Sequence, residues 1–295
     1  MAVRVERNKN FNLKKIPKLI WDEFVFGSHF VAVGDVLVLV TLSIVLNIHV
    51  TISFFIVVYL SILAVNFFNR YMDDDEDELT NMDRSNSVRK YFKLMPQVMA
   101  GLFLISVGIT ALLAPFSALV FMLFLFGVGI FYSVFLKKVT KRIIGFKNVM
   151  TAMPYALLVV FMATFYNSPL TTAVWLLTLF YFLRMLVNTI FFDIKDIASD
   201  KRDDLKTFPV VFGEAKTKNK LIWLNLLSAI PIIVGVVWNI LPPFSLALLT
   251  AIFYSFLYLG RGKPFKKQTT LYNIVVDGEF IFWLPYVLIY RVILG

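Results

Sequence analysis

Cysteine is absent from the 295-residue chain, and histidine occurs only twice. Without cysteine, disulfide bonds and any chemistry that needs a thiolate are excluded. The basic N-terminal stretch, residues 1–18, leads into no short apolar segment with a small-residue cleavage site, so we expect no removable signal peptide. The composition is also unlike that of a soluble domain, because 59% of the residues are hydrophobic and the mean hydropathy is +0.78.

Apolar runs of about 17–22 residues recur along the whole chain, and this length crosses a bilayer as a helix. Pro115, Pro169 and the pair Pro242-Pro243 mark short turns between neighbouring runs. The pattern predicts an all-α membrane protein with about nine transmembrane helices around a central cavity. The predicted helices cover residues 29–50, 52–71, 96–113, 116–136, 149–165, 170–192, 221–240, 243–259 and 274–293.

The basic residues predict the orientation of these helices. Of the 29 lysines and arginines, 27 lie before the first run or in alternate connections, the exceptions being Arg184 and Arg291. By the positive-inside rule these segments and the N-terminus are cytoplasmic. We expect a basic cytoplasmic segment over residues 1–27 and one polytopic domain over residues 28–295 in the cell membrane. The net charge of +10 then reflects orientation and anionic lipid or substrate, and no nucleic-acid partner is expected.

Acidic side chains cluster in two places on the predicted cytoplasmic side. Each cluster follows an apolar run and shares one helix face if the helix continues. The members are Asn69, Asp73 and Asp77 in the first cluster, and Asp193, Asp196, Asp200 and Asp204 in the second. Carboxylates on one face repel each other unless a cation lies between them, and without histidine or cysteine they suit Mg²⁺. The alternative is a solvated acidic loop at a helix end.

Both clusters emerge on the same side of the membrane, and four predicted helices separate them in sequence. The arrangement looks like two related halves that face each other across a cavity. Two carboxylate rows with basic residues nearby suit a polyanion bridged by divalent metal, and a diphosphate is the natural candidate.

Three stretches of the chain carry a resemblance to a known family. They are, in chain order, Asn69-x-x-x-Asp73-x-x-x-Asp77; Tyr132-Ser133-x-x-x-Lys137-Lys138 with Lys147-Asn148; and Asp193-x-x-Asp196-x-x-x-Asp200 with the tail Lys206-Thr207-Phe208-Pro209-Val210-Val211-Phe212-Gly213. Together they resemble the two acidic motifs and the intervening loop of the UbiA superfamily of intramembrane prenyltransferases. The chain departs from the family pattern at Arg70, where an Asp is usual, and at Ser199, where a Gly is frequent.

The resemblance implies two Mg²⁺ ions, with Mn²⁺ as an alternative, that hold the diphosphate of an isoprenoid donor. The implied ligands are Asn69, Asp73 and Asp77 for one ion and Asp193, Asp196 and Asp200 for the other. The residues implied to contact the diphosphate are Tyr132, Ser133, Lys137, Lys138, Arg84 and Lys201. The lysines also fit simple positive-inside anchoring, and Tyr132 also fits the aromatic belt at the membrane interface.

Arg184 and Asn188 lie inside a predicted transmembrane helix, one turn apart on the same face. An arginine within the membrane is costly and usually faces a polar cavity. Both residues are therefore predicted to line the cavity, near the acceptor or the diphosphate. Asp35 and His29, near the cytoplasmic end of the first predicted helix, are given no role.

By this resemblance we expect a prenyltransferase that ionises an allylic diphosphate and transfers the prenyl group to a lipophilic or aromatic acceptor, at a site on the cytoplasmic side. A UbiA-like terpene cyclase, in which the substrate's own double bonds capture the cation, is the alternative enzyme. A cation transporter is the alternative outside enzymes, but its carboxylates are expected at the bilayer midplane rather than at helix ends.

Overall fold

The computed structural model describes residues 16–72, 82, 85–86, 89–134, 136–260 and 271–294. Within these ranges the chain is helical and contains no β-strand, which confirms the predicted all-α class. The α-helices are α1 (Ile16–Phe26), α2 (His29–Leu46), α3 (Ile52–Met72), α4 (Met95–Leu113), α5 (Phe116–Val134), α6 (Phe146–Phe165), α7 (Thr172–Phe192), α8 (Ile197–Arg202), α9 (Phe208–Phe212), α10 (Glu214–Leu227), α11 (Ile230–Val237), α12 (Thr250–Leu259) and α13 (Asp277–Leu294). A π-helical turn, Leu271–Val276, leads into α13.

Eight helical segments of the described chain are long and apolar enough to cross a membrane, judged by length and composition. They correspond to eight of the predicted runs, whereas the remaining run, Pro243–Leu259, is shorter. This segment begins as a 3₁₀ turn, Pro243–Leu249, before it becomes α12. The multi-pass architecture is thus confirmed, while the number of spans and the side on which the N-terminus lies stay predictions.

Helix α1 precedes the first of these segments and packs against α2 and the π-helical turn. It forms the end of the basic segment predicted over residues 1–27, of which residues 1–15 lie outside the described residues. Ile20 and Trp21 on α1 are half exposed or more, at 64% and 50%. Apolar exposure of this kind suits a helix at a membrane surface.

The turns between helices satisfy the last backbone groups of each helix. Asn47 ends α2 in the left-handed region with a φ of 53°, and the N–H of Ile48 donates to the carbonyl of Ser43 at 2.9 Å. Between α4 and α5, the carbonyl of Pro115 accepts from the N–H of Ala118 at 2.9 Å. Such short connections make neighbouring helices antiparallel.

The helices pack in chain order around a central cavity. Helix α2 packs on α3, α3 on α5, α5 on α6 and α6 on α7, and α13 closes the ring against α2. The cavity has a volume of about 390 Å³, and its wall comes mainly from α2, α3, α5, α6, α7 and α13. Helix α4 packs outside α3 and α5 and contributes none of the described wall residues.

The interior and the outer surface of the ring differ in the way a bilayer requires. Phe54, Leu177 and Trp283 lie between helices and are at most 1% exposed. Leu112 and Phe116 on the outer surface are 84% and 78% exposed. Large apolar side chains that point outward on helices of this length are stable in lipid rather than in water.

Candidate active site

One end of the cavity is polar. Helices α3 and α7 end there and α6 begins there, and polar residues near these helix ends line the wall. The predicted site residues on this wall are Asn69, Tyr132, Ser133, Asn188, Asp193 and Asp196. Two further predicted residues, Asp200 and Lys201, lie off the wall, the first buried and the second exposed. Apart from Arg184, which is described, the remaining predicted residues lie outside the described part of the chain; they are Asp73, Asp77, Arg84 and the side chains of Lys137 and Lys138.

The second acidic cluster does not continue helix α7, so the condition under which its carboxylates would share one helix face is not met. Helix α7 ends at Phe192, tight turns follow over residues 193–196, and the short helix α8 begins at Ile197. The N–H of Asp196 donates to the carbonyl of Asp193 at 3.1 Å. Because bonds of this i to i+3 type wind the chain more tightly than an α-helix, Asp193 and Asp196 reach the wall and Asp200 does not.

Asp193 is held by the first turn of α6. It is 2% exposed; the ammonium of Lys147 lies 3.2 Å from its Oδ1, and Nδ2 of Asn148 donates to its Oδ2 at 2.8 Å. Burial raises the pKa of the Asp193 carboxyl above its usual value, whereas the Lys147 charge and the Asn148 hydrogen bond act in the opposite direction. The carboxylate is thus oriented by two groups on one neighbouring helix.

Asp200 is fully buried and joins the same cation. Its Oδ1 lies 3.4 Å from Nζ of Lys147, and the hydroxyl of Thr207 donates to its Oδ2 at 2.8 Å. The tail of the second motif, to which Thr207 belongs, also makes a backbone hydrogen bond. The N–H of Lys206 donates to the carbonyl of Thr140 at 3.0 Å. The tail of the second motif therefore holds Asp200 in place and ties α8 to the chain before α6.

Gly145 allows α6 to begin beside these acids. Its φ is +73°, and a Cβ built on it would lie 2.5 Å from Cε2 of Phe208, in the tail of the second motif. Only glycine adopts this region without strain and leaves room for the ring. The close approach brings Lys147 and Asn148 within reach of Asp193.

Asp196 has its own cation. Both carboxylate oxygens accept from Nζ of Lys195, at 2.6 and 2.7 Å, and this ammonium also lies 5.7 Å from the centre of the Phe192 ring. Lys195, Phe192 and Asp196 all line the cavity. The polar wall therefore alternates carboxylates with ammonium groups.

On the opposite side, Ser133 of α5 orients Asn69 of α3. The hydroxyl of Ser133 donates to Oδ1 of Asn69 at 2.9 Å, and it also contacts the carbonyl of Gly129 at 3.1 Å. Asn69 is the member of the first acidic motif that falls within the described residues. Ser133 thus has a positioning contact in addition to the diphosphate contact expected from the sequence.

Arg184 does not line the cavity, contrary to the prediction. Its side chain is fully buried between helices, where Glu279 of α13 accepts from Nε at 2.8 Å and from Nη2 at 2.6 Å. Asn225, Ser228 and Ser255 also accept hydrogen bonds from the guanidinium. The cost of the intramembrane charge is offset by an acid and polar groups on other helices, so no aqueous cavity is needed. Asn188, one turn away, does reach the wall.

The donor groups on the wall suit an oxygen-bound divalent cation. Asn148 is 1% exposed, and its Nδ2 donates to the Asp193 carboxylate. Its Oδ1 has no hydrogen-bond partner in the described chain. Carboxylate and amide oxygens are the ligands that Mg²⁺ prefers. Among the described residues no group of three or more histidine, aspartate or glutamate side chains is close enough to hold a metal, and two of the predicted ligands, Asp73 and Asp77, lie outside those residues.

Several polar wall residues have no role predicted from the sequence, and five of them are charged or contact the second motif. Lys147 and Asn148 belong to the stretches that carry the family resemblance, whereas Arg70, Lys195 and Asp277 were not assigned to the site, and all five line the cavity. The signal available for the first two was their place directly after Gly145, at the start of an apolar run. The signal for Asp277 was an acid at the start of the last run, on the same predicted side as the two clusters.

These features define an all-helical integral membrane protein with a carboxylate- and lysine-lined cavity at the helix ends. A model of the UbiA prenyltransferase family matches residues 29–284, which is most of the chain, and the chain belongs to this family. A comparison with curated protein sequences finds no match.

Solved structures show the same fold at low sequence identity. A UbiA homologue from Aeropyrum pernix K1 is 16% identical, with 92% of this chain and 96% of that chain covered and a TM-score of 0.60. A UbiA homologue from Archaeoglobus fulgidus, described as bound to GPP and Mg²⁺, is 14% identical, with 93% and 96% covered and a TM-score of 0.61. A digeranylgeranylglyceryl phosphate synthase is 16% identical, with 94% and 98% covered and a TM-score of 0.57.

Proposed function

We propose that the chain transfers a prenyl group from an isoprenoid diphosphate to a lipophilic or aromatic acceptor within the membrane. The observation that carries the proposal is the cavity itself, whose polar end combines Asp193 and Asp196 with Lys147 and Lys195, while apolar side chains from α3, α5 and α6 line part of its remaining wall. An ionic head with a long hydrocarbon tail matches such a cavity. Membership of the UbiA prenyltransferase family supports the same reaction class.

We propose that Asn69, Asp73 and Asp77 hold one Mg²⁺ and that Asp193, Asp196 and Asp200 hold another, with Mn²⁺ as a substitute. Because Asp200 lies off the cavity wall and contacts Lys147 and Thr207, its binding of the cation requires that these two contacts break. The Archaeoglobus fulgidus homologues described as bound to DMAPP or GPP with Mg²⁺ support this choice of cation. When bound, the cations supply positive charge that stabilises the departing diphosphate.

The chain's own residues then have separate tasks at the polar end. Lys147 and Lys195 act as point charges for phosphate oxygens, a role that an ammonium performs without strict geometry. Tyr132 lines the cavity, which supports its proposed role as a hydrogen-bond donor to the diphosphate. Ser133 keeps Asn69 oriented. Lys137, Lys138, Arg84 and Lys201 are proposed as further contacts from the surrounding loops.

The apolar wall serves the prenyl chain and the reacting carbon. Phe126, Phe161 and Phe280 line the cavity from three different helices. Aromatic faces attract a cation that lies over them, so they stabilise the allylic carbon as its bond to the diphosphate breaks. The acceptor nucleophile then forms the new bond to that carbon, and the proton that it loses passes to the released diphosphate. The same aromatic walls keep water away from the carbon.

The test uses the purified chain in lipid nanodiscs with radiolabelled geranyl and geranylgeranyl diphosphates and a panel of acceptors. We expect prenyl transfer that is lost with EDTA and restored by Mg²⁺. Asp73→Asn and Asp196→Asn should each lower the rate by about 10²–10³-fold, the effect of losing one electrostatic stabiliser of the transition state. The double variant should be scarcely slower than either single one, because residues that act as one unit are not additive.

Asp203→Asn is the matched control, since Asp203 lies off the cavity wall and pairs with its neighbour Arg202. Its rate should match that of the wild type. Undiminished transfer in the double variant, or in metal-free buffer, would contradict the proposal. A cyclic hydrocarbon product that forms without any acceptor would instead identify a terpene cyclase.

A further inference from the structure

Each acid proposed to hold the second cation contacts a lysine in the structure. The ammonium of Lys147 lies 3.2 Å from Oδ1 of Asp193 and 3.4 Å from Oδ1 of Asp200. The ammonium of Lys195 donates to both carboxylate oxygens of Asp196, at 2.6 and 2.7 Å. Both lysines line the cavity, and their side chains are 21% and 5% exposed. We call Lys147 and Lys195 the wall lysines.

Other contacts fix the carboxylates of the pairs made by Lys147. Asn148, the next residue in the first turn of α6, donates to Oδ2 of Asp193 at 2.8 Å. Thr207 donates to Oδ2 of Asp200, also at 2.8 Å. In both acids a neutral donor therefore holds Oδ2 while Oδ1 contacts the ammonium. Because these acids are 2% and 0% exposed, salt screens the attraction less than it does on a surface.

A wall lysine and a divalent cation compete for the same oxygens. Mg²⁺ binds a carboxylate oxygen at about 2.1 Å, so a cation that takes an oxygen already in contact with an ammonium lies within about 5 Å of that ammonium. Like charges at this distance repel, and more strongly in a partly buried site than in water. Binding of the cation therefore drives the ammonium away from the carboxylate. The displaced ammonium then needs another anion, because an unpaired charge in such a site is costly.

We infer that the wall lysines neutralise the acids before a cation binds and move to phosphate oxygens when the cation and the diphosphate arrive. The inference rests on the prenyl transfer proposed above and concerns the order of binding at that site. The cation frees the lysines and so favours the diphosphate, while the diphosphate attracts the lysines and so favours the cation. Such coupling is reciprocal. A lysine side chain with its flexible four-carbon stem suits this short movement.

The same contacts also fit a second role, in which the lysines only orient the carboxylates for the metal. The two roles predict opposite effects of removing a lysine. A lysine that orients a ligand strengthens cation binding, so its loss lowers the affinity for the cation. A lysine that competes for the oxygens weakens cation binding, so its loss raises that affinity. The affinity for the cation without diphosphate therefore distinguishes the roles.

The experiment titrates the purified chain in phosphatidylcholine nanodiscs with Mn²⁺ and measures free Mn²⁺ by electron paramagnetic resonance. Each titration is run with and without geranyl S-thiolodiphosphate, a donor analogue whose carbon–sulfur bond resists cleavage. Free Mn²⁺ is corrected for binding to the analogue in solution. For the wild type we expect the analogue to raise the affinity for Mn²⁺ by at least about tenfold, which is within the usual range of coupling between two ligands.

Lys147→Met removes the charge and keeps an apolar stem. Without the analogue, the affinity for Mn²⁺ should rise by about threefold or more, the effect of removing an ion pair of modest strength. The affinity for the analogue should fall, and the increase that the analogue causes in Mn²⁺ affinity should shrink. Lys195→Met should act in the same direction through Asp196 and serves where Lys147→Met does not fold. Lys147→Arg, which keeps the charge, should not raise the affinity for Mn²⁺.

Lys218→Met is the matched control, because Lys218 also pairs with an acid but lies off the cavity wall. Its ammonium is 2.9 Å from Oε1 of Glu214 in the first turn of α10. The substitution removes one positive charge from the chain without touching the second motif. It should change neither the affinity for Mn²⁺ nor that for the analogue.

Two results would overturn the inference. One is an affinity for Mn²⁺ without analogue that is unchanged or lower in both Lys147→Met and Lys195→Met, which would assign the lysines the orienting role. The other is a wild-type affinity for Mn²⁺ that the analogue does not raise although it binds. In either case the proposed function would still stand. A wild-type chain that binds no analogue, or no Mn²⁺ in its presence, would instead overturn the proposed function.

Discussion

The Ser133 hydroxyl contacts Asn69 in the structure, whereas the family resemblance implies a contact with the diphosphate. This hydroxyl holds Oδ1 of Asn69, so its removal lets the proposed metal ligand rotate. A neutral hydrogen bond contributes about 0.5–1.5 kcal/mol. We therefore expect Ser133→Ala to lower the rate of diphosphate release by about tenfold or less, with a melting temperature lowered by no more than about 2–4 °C.

Ser106→Ala is the matched control for this prediction. Ser106 is buried in α4, where its hydroxyl donates to the carbonyl of Phe103 in the same helix at 2.9 Å, away from the cavity. Its substitution should leave the rate at the wild-type value. Equal rates in Ser133→Ala and Ser106→Ala would show that the contact with Asn69 has no influence on turnover.

Gly145 is the residue that permits the close approach of α6 to the tail of the second motif. In Gly145→Ala the new Cβ would meet the Phe208 ring, and the backbone would be held at a φ of +73°. Strain of this kind costs about 1–3 kcal/mol. We expect a lower melting temperature in detergent and weaker donor binding, because Lys147 and Asn148 follow directly in the chain.

Gly108→Ala tests whether this effect is specific, since a Cβ at Gly108 in α4 would meet nothing within 4 Å. It should be neutral or slightly stabilising, because alanine is the better helix former. The double variant Gly145→Ala, Phe208→Leu removes the ring and should recover part of the loss. A melting temperature that is equally high in Gly145→Ala and Gly108→Ala would refute the strain.

At the scale of helices, the buried pair Arg184–Glu279 joins α7 to α13. Both side chains are at most 2% exposed, and Tyr258 of α12 also donates to the Glu279 carboxylate at 2.8 Å. Asn225 brings α10 into the same cluster. Arg184 lies one turn before Asn188, and Glu279 lies two residues after Asp277, so the cluster sets how α7 and α13 present these two wall residues to the cavity.

We expect Arg184→Met to destabilise the protein by about 3–5 kcal/mol, because it leaves the Glu279 charge buried without its cation. The double variant Arg184→Met, Glu279→Leu should recover most of this loss, since replacing both members of a buried pair by apolar groups is often neutral. Unfolding in detergent, followed by circular dichroism, measures both. Any loss of turnover in the single variant then follows from destabilisation rather than from a lost cavity contact.

Arg291→Met is the control, because Arg291 is exposed near the end of α13 and contacts the face of the Phe244 ring at 6.0 Å. Its effect should stay within about 1 kcal/mol, the usual worth of an exposed cation over a ring. A fully stable Arg184→Met would show that the pair does not hold the two helices together.

At the scale of the whole molecule, the distribution of lysine and arginine predicts which side of the membrane carries the polar end of the cavity. The chain has no cysteine, so single cysteines can be introduced without background. We expect Ser168→Cys, between α6 and α7, to react with an impermeant thiol reagent from outside intact cells. Lys216→Cys, exposed in the first turn of α10, should react only after the membrane is opened.

Lys216 is a better reporter than the nearby Ser199, which is 1% exposed and would be shielded on either side. Denaturation in detergent should make both cysteines reactive and controls for expression. Labelling of Lys216→Cys from outside intact cells would reverse the orientation and place the polar end of the cavity away from the cytoplasm.

Local patterns were sufficient for the class of the protein and for much of its polar wall. The length and hydropathy of the apolar runs depend only on neighbouring residues, because the bilayer acts on each helix in the same way. Asn69, Asp193 and Asp196 were identified by residue type and spacing, and the structure brings these three to one cavity. Carboxylates are uncommon in so apolar a chain, so those that follow an apolar run can be recognised from the sequence alone.

Contacts between distant segments determined the rest. Glu279 lies 95 residues from Arg184 in sequence, and no local pattern pairs them, so an arginine that was expected at a cavity is satisfied between helices. Asp193, directly after the end of α7, is held by Lys147 and Asn148 of α6, and these residues lie more than 40 positions earlier in the chain. Asp35 lines the cavity only because the ring of helices closes between α2 and α13, and no local pattern predicts that packing.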